Sequence, residues 1–175
     1  MKDQIVNDYV IELPKFRVDF NIKTIDLNKP DDVWYGVRNY KIDLPELSSI
    51  SYDYREPPQA WLTHKLPEYY IKPHIDTKRD AVLVIPIDPK YYNIHFLSDI
   101  SNEESIIYTH QYKCPAMPHA KIPHFVNDIN VERFFIQVSF YFKDFNWERL
   151  HENFALNYRE RVNELKSTKS ILSID

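Results

Sequence analysis

The chain of 175 residues contains one glycine, Gly36. Glycine lets a backbone close around a phosphate group, so a Walker-type phosphate loop needs at least two glycines and a dinucleotide-binding turn needs three. The sequence therefore excludes both kinds of nucleotide site. If this protein binds an anion, it must do so mainly with side chains or a metal ion.

Cysteine content and charge exclude further classes. Cys114 is the only cysteine, so the chain has no intrachain disulfide and no cysteine-built zinc site. Residues 1–7 contain no apolar core of a signal peptide, and no segment approaches the ~18 apolar residues of a membrane span. The net charge is −4, without a run of five basic residues. We expect a soluble cytoplasmic protein of one domain over residues 1–175, with no nucleic-acid or membrane partner.

Short apolar segments separated by proline, asparagine and aspartate predict β-strands. Residues 16–22 alternate apolar and polar side chains, whereas residues 81–87 are continuously apolar, as in a strand buried on both faces. The predicted strands are 9–13, 16–22, 81–87, 93–97, 105–112 and 133–142. Because no helices connect them, we predict an antiparallel sandwich or jelly roll.

The region between residues 33 and 66 gives mixed signals. Residues 33–37 favour an extended segment and residues 44–50 a helical turn, while Glu56-Pro57-Pro58 disfavours regular structure. After a cap at Asp144 or Asn146, apolar residues recur at helical spacing over residues 145–167. We predict a C-terminal α-helix packed on the outside of the sheet.

Two residue types that bind metals lie two positions apart in His74-Ile75-Asp76. In an extended segment both side chains project to the same side. His124, 50 residues later, offers a third ligand. Two histidines and one carboxylate leave part of an octahedral shell open, which is the ligand set of non-heme Fe(II) oxygenases, whereas a structural zinc site fills its shell.

Other histidines compete for the third position. His110 and His119 lie near His124 in sequence. We expect His119 to line the mouth of the pocket and His110 to be a core or surface histidine. The three histidines without a recognisable partner are His64, His95 and His151.

Arg133 lies nine positions after His124 and begins a predicted apolar strand. Its planar guanidinium can bind a carboxylate through two parallel hydrogen bonds, which a lysine cannot do. An anionic co-substrate that binds a metal at one end needs such a partner at the other. Gln137, four residues later on the same strand face, can add a hydrogen bond.

His74-Ile75-Asp76, His124 and Arg133 before an apolar strand resemble the core of the Fe(II)/2-oxoglutarate-dependent oxygenases, in the prolyl-hydroxylase-like or aspartyl/asparaginyl-hydroxylase-like branch. The resemblance covers residues 69–142, roughly 40% of the chain; residues 1–60 contribute strands and loops. It implies a double-stranded β-helix of the jelly-roll, cupin-like type and iron held by His74, Asp76 and His124. It also implies 2-oxoglutarate bound by Arg133, with dioxygen used to hydroxylate a C–H bond of an amino-acyl substrate, peptidyl or free.

Several pocket residues depart from this family or stay unassigned. Phe135 is bulky where the family often has a small or hydroxylated residue, which predicts a tighter co-substrate pocket. The tyrosines that could assist 2-oxoglutarate binding, with Tyr70 and Tyr91 preferred, are Tyr70, Tyr91, Tyr92 and Tyr108. Lys78 and Arg79 could bind substrate but are expected to face solvent. Trp34 and Trp61 are expected to lie in the core or pocket wall, and Cys114 to be an inert apolar residue.

Two other functions fit the same residues. A cupin-like metalloenzyme could use the three ligands without 2-oxoglutarate, and Arg133 would then be a structural ion-pair partner. A non-catalytic binding or sensor domain could keep the fold and lack turnover.

Overall fold

The computed structural model describes residues 7–13, 17–18, 22–44, 53–87, 92–128, 130–150, 160 and 172–173. This part of the chain is mainly β. Its strands are β1 Val10–Glu12, β2 Arg17–Val18, β3 Asp32–Trp34, β4 Val37–Ile42, β5 Tyr54–Lys65, β6 Ile71–His74, β7 Ala81–Pro86, β8 Asn93–Leu97, β9 Ile106–Gln111, β10 Ala116–Pro118, β11 His124–Val126, β12 Arg133–Phe142 and β13 Leu172–Ser173. A 3-10 helix spans Ile22–Thr24 and a short helix, α1, spans Trp147–Arg149.

Eight consecutive strands, β5 to β12, form the centre of the fold. The larger antiparallel sheet has the order β1-β10-β7-β12-β5-β4-β3, and the smaller has the order β6-β11-β8-β9. Strands β2 and β13 form a separate pair. From β5 to β12 the chain crosses repeatedly between the two larger sheets, which is the arrangement of a jelly roll. The prediction of a mainly β jelly roll is confirmed.

Strand β7 lies in the interior of the larger sheet, between β10 and β12. Val82 and Val84 belong to the apolar cluster between the two sheets, whereas Leu83 and Ile85 belong to a second cluster on the outer face of the larger sheet. Both faces of β7 are therefore buried, as its unbroken apolar sequence predicts.

The expectation that residues 33–37 are extended holds for Val33, Trp34 and Val37, which lie in β3 and β4, but was wrong for the two residues between the strands. Trp34 and Val37 pair directly, so Tyr35 and Gly36 form a two-residue hairpin turn. Both have positive φ angles, 44° and 77°, as the turn that best matches the twist of a hairpin requires. A Cβ atom on Gly36 would lie 2.1 Å from Cγ of Tyr69. The single glycine thus occupies a position that other residues fit poorly.

The expectation that Glu56-Pro57-Pro58 interrupts regular structure was also wrong, because β5 runs through it. The pairing of β5 with β12 is irregular here: Ser139 faces Gln59 and Tyr141 faces Glu56. Strand β4 pairs only with residues 60–65 of β5. The two prolines therefore lie at an irregularity where β4 does not pair, a position where a missing N–H is tolerated.

The described part of the C-terminal segment contains only a short helix. Asn146 caps α1, and its side chain accepts a hydrogen bond of 3.0 Å from the backbone N–H of Arg149. Trp147 and Leu150 pack against the outer cluster of the larger sheet, which agrees with the predicted location. Apart from residue 160, positions 151–167 of the predicted helix lie outside the described residues.

Other predicted elements are described only in part. Residues 17–18 of the predicted strand 16–22 form β2, but Ile22 begins the 3-10 helix. Residues 45–50 of the predicted helical turn lie outside the described residues. None of the helices among the described residues has the length and apolar content of a membrane span.

Candidate metal centre

His74 and His124 lie on adjacent antiparallel strands. His74 is the last residue of β6, His124 is the first of β11, and their Cα atoms are register partners. Their ring centroids are 4.3 Å apart. Asp76 follows β6 by two residues, and one donor atom from each of the three side chains lies within 4.8 Å of the others. The structure thus brings the three predicted ligands together, although they are distant in sequence.

The backbone fixes which nitrogen of each histidine is available. Nδ1 of His74 donates to the carbonyl oxygen of Lys72 at 2.7 Å, and Nδ1 of His124 donates to that of Ile122 at 2.8 Å. In the neutral imidazole the other nitrogen, Nε2, then carries the lone pair. Such bonds to the outer nitrogen orient the histidine ligands of metal sites.

Asp76 is held as a carboxylate. Its Oδ1 lies 3.8 Å from Nε2 of His74, and its Oδ2 accepts a 2.7 Å hydrogen bond from Nε of Arg79. Burial raises the pKa of Asp76, but the charge of Arg79 and its hydrogen bond, together with electrostatic interactions with His124 and His74, outweigh it. The pKa lies below its usual value, so the ionised form that binds metals is favoured.

His124 is held in its neutral form. Burial, with a smaller contribution from the charge of His74, lowers the pKa of His124 to about 4, although Asp76 and the carbonyl of Ile122 oppose the shift. A neutral imidazole is the form that binds a metal.

The three side chains open on a cavity of about 500 Å³ between the two sheets. Gln137 lies in its wall, as do Trp34 and Trp61, which confirms the interpretation of both tryptophans as core or pocket wall. The ring of Trp34 contacts His74 edge-on, with centroids 5.1 Å apart. A small molecule or one side chain of a larger molecule can therefore reach the candidate ligands.

The donor set suits a single metal ion in chemical type. Two donors bonded to one ion at about 2.1 Å can be at most roughly 4.2 Å apart. The 3.8 Å between Nε2 of His74 and Oδ1 of Asp76 falls below that limit, whereas the 4.8 Å that bounds all three donors lies above it, so binding an ion requires a small inward movement of a ligand side chain. Two imidazoles and one carboxylate suit ferrous iron and related transition metals, and three protein donors leave positions for other ligands.

Arg133 lies behind the cavity wall. Its guanidinium forms an ion pair with Asp128 and lies 4.1 Å from the ring centre of Tyr92. Tyr92 and Phe135 line the cavity, whereas Arg133 is not part of its wall. Its predicted contact with a co-substrate stays a prediction.

Of the two preferred tyrosines, the structure describes Tyr70, which does not line the cavity. The hydroxyl of Tyr70 donates to Glu103 at 3.1 Å on the surface, and Tyr91 lies outside the described residues. Tyr108 stacks on Tyr9. Of the four tyrosines considered from sequence, Tyr92 is the one that the described structure places in the cavity wall.

Two expectations about other histidines were wrong. His119 stacks on Trp147, with centroids 4.2 Å apart, and does not line the cavity. His64 and His95, for which no partner was recognised, bond to Glu132 at 2.8 Å and to Thr109 at 2.9 Å.

The remaining histidines are accounted for by their surroundings. His110 is buried, in agreement with its interpretation as a core histidine. His95 bonds to Thr109 through Nδ1 at 2.9 Å, and His151 lies outside the described residues.

Arg79 is the site residue that sequence reasoning missed. It was expected to face solvent, but its guanidinium contacts Asp76 and lines the cavity. The available signal was its position three residues after Asp76, which places a cation within reach of that carboxylate. Lys78, the other residue expected in solvent, is exposed as predicted, at the edge of the cavity.

Comparisons with known proteins leave the family open. No protein-family model and no curated protein matches the chain. Among solved structures, a prolyl-4-hydroxylase from Pseudomonas putida is similar, with a TM-score of 0.47 and 15% identity over 66% of this chain and 77% of that one. An oxalate decarboxylase is similar with a TM-score of 0.40 and 13% identity over 67% of this chain. This chain covers 29% of the decarboxylase.

Proposed function

We propose that this protein is an Fe(II)- and 2-oxoglutarate-dependent dioxygenase that hydroxylates a C–H bond. The observation that carries the proposal is the grouping of His74, Asp76 and His124 at the wall of a cavity, with one donor atom of each within 4.8 Å of the others. Ferrous iron, when bound, would activate dioxygen in the positions that the protein leaves open.

The protein's part in this reaction is to fix the ligands. His74 and His124 present Nε2 because backbone carbonyls hold Nδ1. Asp76 is ionised and His124 is neutral, so neither must lose a proton before it can bind a metal. Apolar walls that include Trp61, Val84 and Phe135 limit the water that surrounds the ligands.

A buried group of charges supports an anionic co-substrate. Lys65, Asp128 and Arg133 are close together with little exposure. Burial lowers the pKa of Lys65, Asp128 opposes that shift and Arg133 adds to it. The guanidinium of Arg133 lies behind the cavity wall, beside Tyr92, and its positive charge would favour the distal carboxylate of 2-oxoglutarate.

Tyr92 contacts both the Arg133 guanidinium and the cavity. Its ring lies against Arg133 and also forms part of the cavity wall. Its hydroxyl is buried and has no hydrogen-bond partner among the described residues. A buried polar atom without a partner is costly, and a co-substrate carboxylate would provide one. We therefore propose Tyr92, rather than Tyr70, as the tyrosine that contacts 2-oxoglutarate.

The substrate that we propose is amino-acyl, either free or within a peptide, which rests on the resemblance of His74-Ile75-Asp76, His124 and Arg133 to the hydroxylase branches. The cavity of about 500 Å³ has room for a side chain of this size beside a co-substrate.

A second candidate is a cupin-like metalloenzyme that does not use 2-oxoglutarate. The ion pair between Arg133 and Asp128 favours it, because a guanidinium already neutralised by a carboxylate has less need of a second one. The two candidates share the metal ligands and differ in the role of Arg133.

The experiment measures succinate formed from 2-oxoglutarate with Fe(II) and dioxygen, using wild type, His74→Ala and Arg133→Met. The proposal predicts succinate from wild type and strong loss in both variants. Thermal melting separates the alternatives, since a ligand at 100 times its dissociation constant adds about 2.7 kcal/mol of stability. Stabilisation by metal but not by 2-oxoglutarate would favour the cupin-like candidate, and stabilisation by both without succinate would favour a non-catalytic sensor.

A further inference from the structure

Arg79 connects the candidate metal ligand Asp76 to the central strand of the larger sheet. Its Nε donates to Oδ2 of Asp76 at 2.7 Å. Its Nη1 donates to Oε1 of Gln137 at 2.5 Å and to Oγ of Ser139 at 3.3 Å. Gln137 and Ser139 both belong to β12, so the guanidinium is held on the carboxylate side and on the sheet side at once.

The two carboxylate oxygens of Asp76 therefore have different neighbours. Oδ2 is occupied by Arg79, whereas Oδ1 is the oxygen for which the structure gives a 3.8 Å approach to Nε2 of His74. A carboxylate with both oxygens available can bind a metal through one or two of them. With Oδ2 engaged by a charge-assisted hydrogen bond, binding through Oδ1 alone is favoured.

The backbone around Asp76 is fixed as well. Its N–H donates to the carbonyl oxygen of Ala120 at 2.9 Å. Nζ of Lys121 donates to the carbonyl oxygens of Asp76 at 3.1 Å and of Arg79 at 2.7 Å. Because main chain and guanidinium are both held, the carboxylate has little freedom to rotate and present its second oxygen.

The number of oxygens matters for the chemistry of the site. Two histidines and a carboxylate bound through one oxygen occupy three of six positions, while binding through both oxygens would occupy four. Three open positions are enough for a ligand that binds through two atoms and for a dioxygen molecule; two are not. A residue that determines how many coordination positions stay open therefore determines which reactions the site can support.

We propose that Arg79 is a positioning residue that holds Asp76 as a one-oxygen ligand and so keeps three coordination positions open at a metal bound by His74, Asp76 and His124. This inference rests on the metal centre of the proposed function. It does not depend on the identity of the substrate or on the use of 2-oxoglutarate.

The test uses Co(II) as a spectroscopic probe in wild type, Arg79→Met, Arg79→Lys and the control Lys78→Met. Lys78 is a neighbouring cation of the cavity wall, so the control removes the same charge and leaves Asp76 untouched. Each protein is titrated with Co(II), and the visible absorption of bound Co(II), which depends on coordination number, is recorded together with the dissociation constant.

We expect Arg79→Met to weaken Co(II) binding about 10- to 100-fold, as losses of groups that orient metal ligands do, and to change the absorption spectrum. Arg79→Lys keeps the positive charge but lacks the planar guanidinium with its several N–H donors. Compared with Arg79→Met, it should therefore recover part of the Co(II) affinity, while its absorption spectrum stays different from that of wild type. Lys78→Met should match wild type in both measurements.

An Arg79→Met protein with the spectrum and affinity of wild type would overturn the inference, as would a Lys78→Met protein that changes equally. If wild type itself binds no Co(II), the metal centre fails and the inference fails with it. Should Arg79→Met not fold, Gln137→Leu removes one bond that holds the guanidinium; a spectrum shifted in the same direction would support the inference, and an unchanged spectrum would contradict it.

Discussion

His74 and His124 face each other across β6 and β11, with ring centroids 4.3 Å apart, and each ring is oriented by the carbonyl of the residue two positions before it. The same local hydrogen bond thus occurs on both strands and directs both Nε2 atoms away from the backbone. Because β6 and β11 pair in this register, two residues 50 positions apart in sequence lie side by side as candidate ligands on one cavity wall.

Gly36→Ala should destabilise the fold, because it places a side chain at a φ of 77° and a Cβ atom against Tyr69. Strained positive-φ positions cost about 1–3 kcal/mol. Urea denaturation of wild type, Gly36→Ala and the double variant Gly36→Ala/Tyr69→Ala measures the effect. The double variant, compared with Tyr69→Ala alone, should show a smaller loss, since the clash is relieved and the backbone strain remains. Equal stability of Gly36→Ala and wild type would contradict the turn geometry.

Asp128→Asn should be strongly destabilising, because it leaves the buried cations Lys65 and Arg133 without their carboxylate. Breaking a buried ion pair typically costs about 3–5 kcal/mol. The double variant Asp128→Asn/Arg133→Met should lose less stability than the sum of the two single variants, as a denaturation cycle would measure. Additive losses would show that the two side chains do not stabilise each other.

His110 should make stability depend on pH. Burial lowers the pKa of this histidine to about 4, against an ordinary value of 6.5. Between these values the unfolded chain binds more protons than the folded one, so stability falls as the pH is lowered from 6.5 toward 4.

The variant that tests this is His110→Phe, which keeps a ring next to Tyr112. It should reduce the slope of unfolding free energy against pH by up to about 1.4 kcal/mol per pH unit in that window. The slope of wild type and variant would be compared by denaturation at several pH values. An identical slope would mean that His110 titrates normally in the folded state.

The sequence predicts best those strands whose own apolar residues show that they are buried. Residues 81–87 and 133–142 have enough apolar side chains to identify them without knowledge of their neighbours, and both lie in the middle of the larger sheet. By contrast, β6 and β11 have four and three residues, and β6 contains a proline, so their pattern is too short to recognise. They form because β6 pairs with β11 and β11 also pairs with β8.

In the candidate site, too, the sequence reveals neighbouring residues but not contacts between distant ones. His74 and Asp76 are adjacent enough in sequence to suggest a ligand pair. The contact of Arg79 with Gln137 joins residues 58 positions apart, and it becomes visible only when β12 and the loop after β6 are placed side by side. The pairing of Arg133 with Asp128 depends on the conformation of the turn before β12, for which the sequence carries no specific signal.

The most direct test of the account is anaerobic Fe(II) titration of wild type, His124→Ala and the control His95→Ala. His95 lies opposite Phe125, next to His124 in the strand register, and does not line the cavity. We predict one Fe(II) per chain in wild type and His95→Ala, and a loss of affinity above roughly 100-fold in His124→Ala, since a direct ligand should matter more than the groups that orient it. Fe(II) binding by His124→Ala at wild-type affinity would contradict a metal centre built from His74, Asp76 and His124.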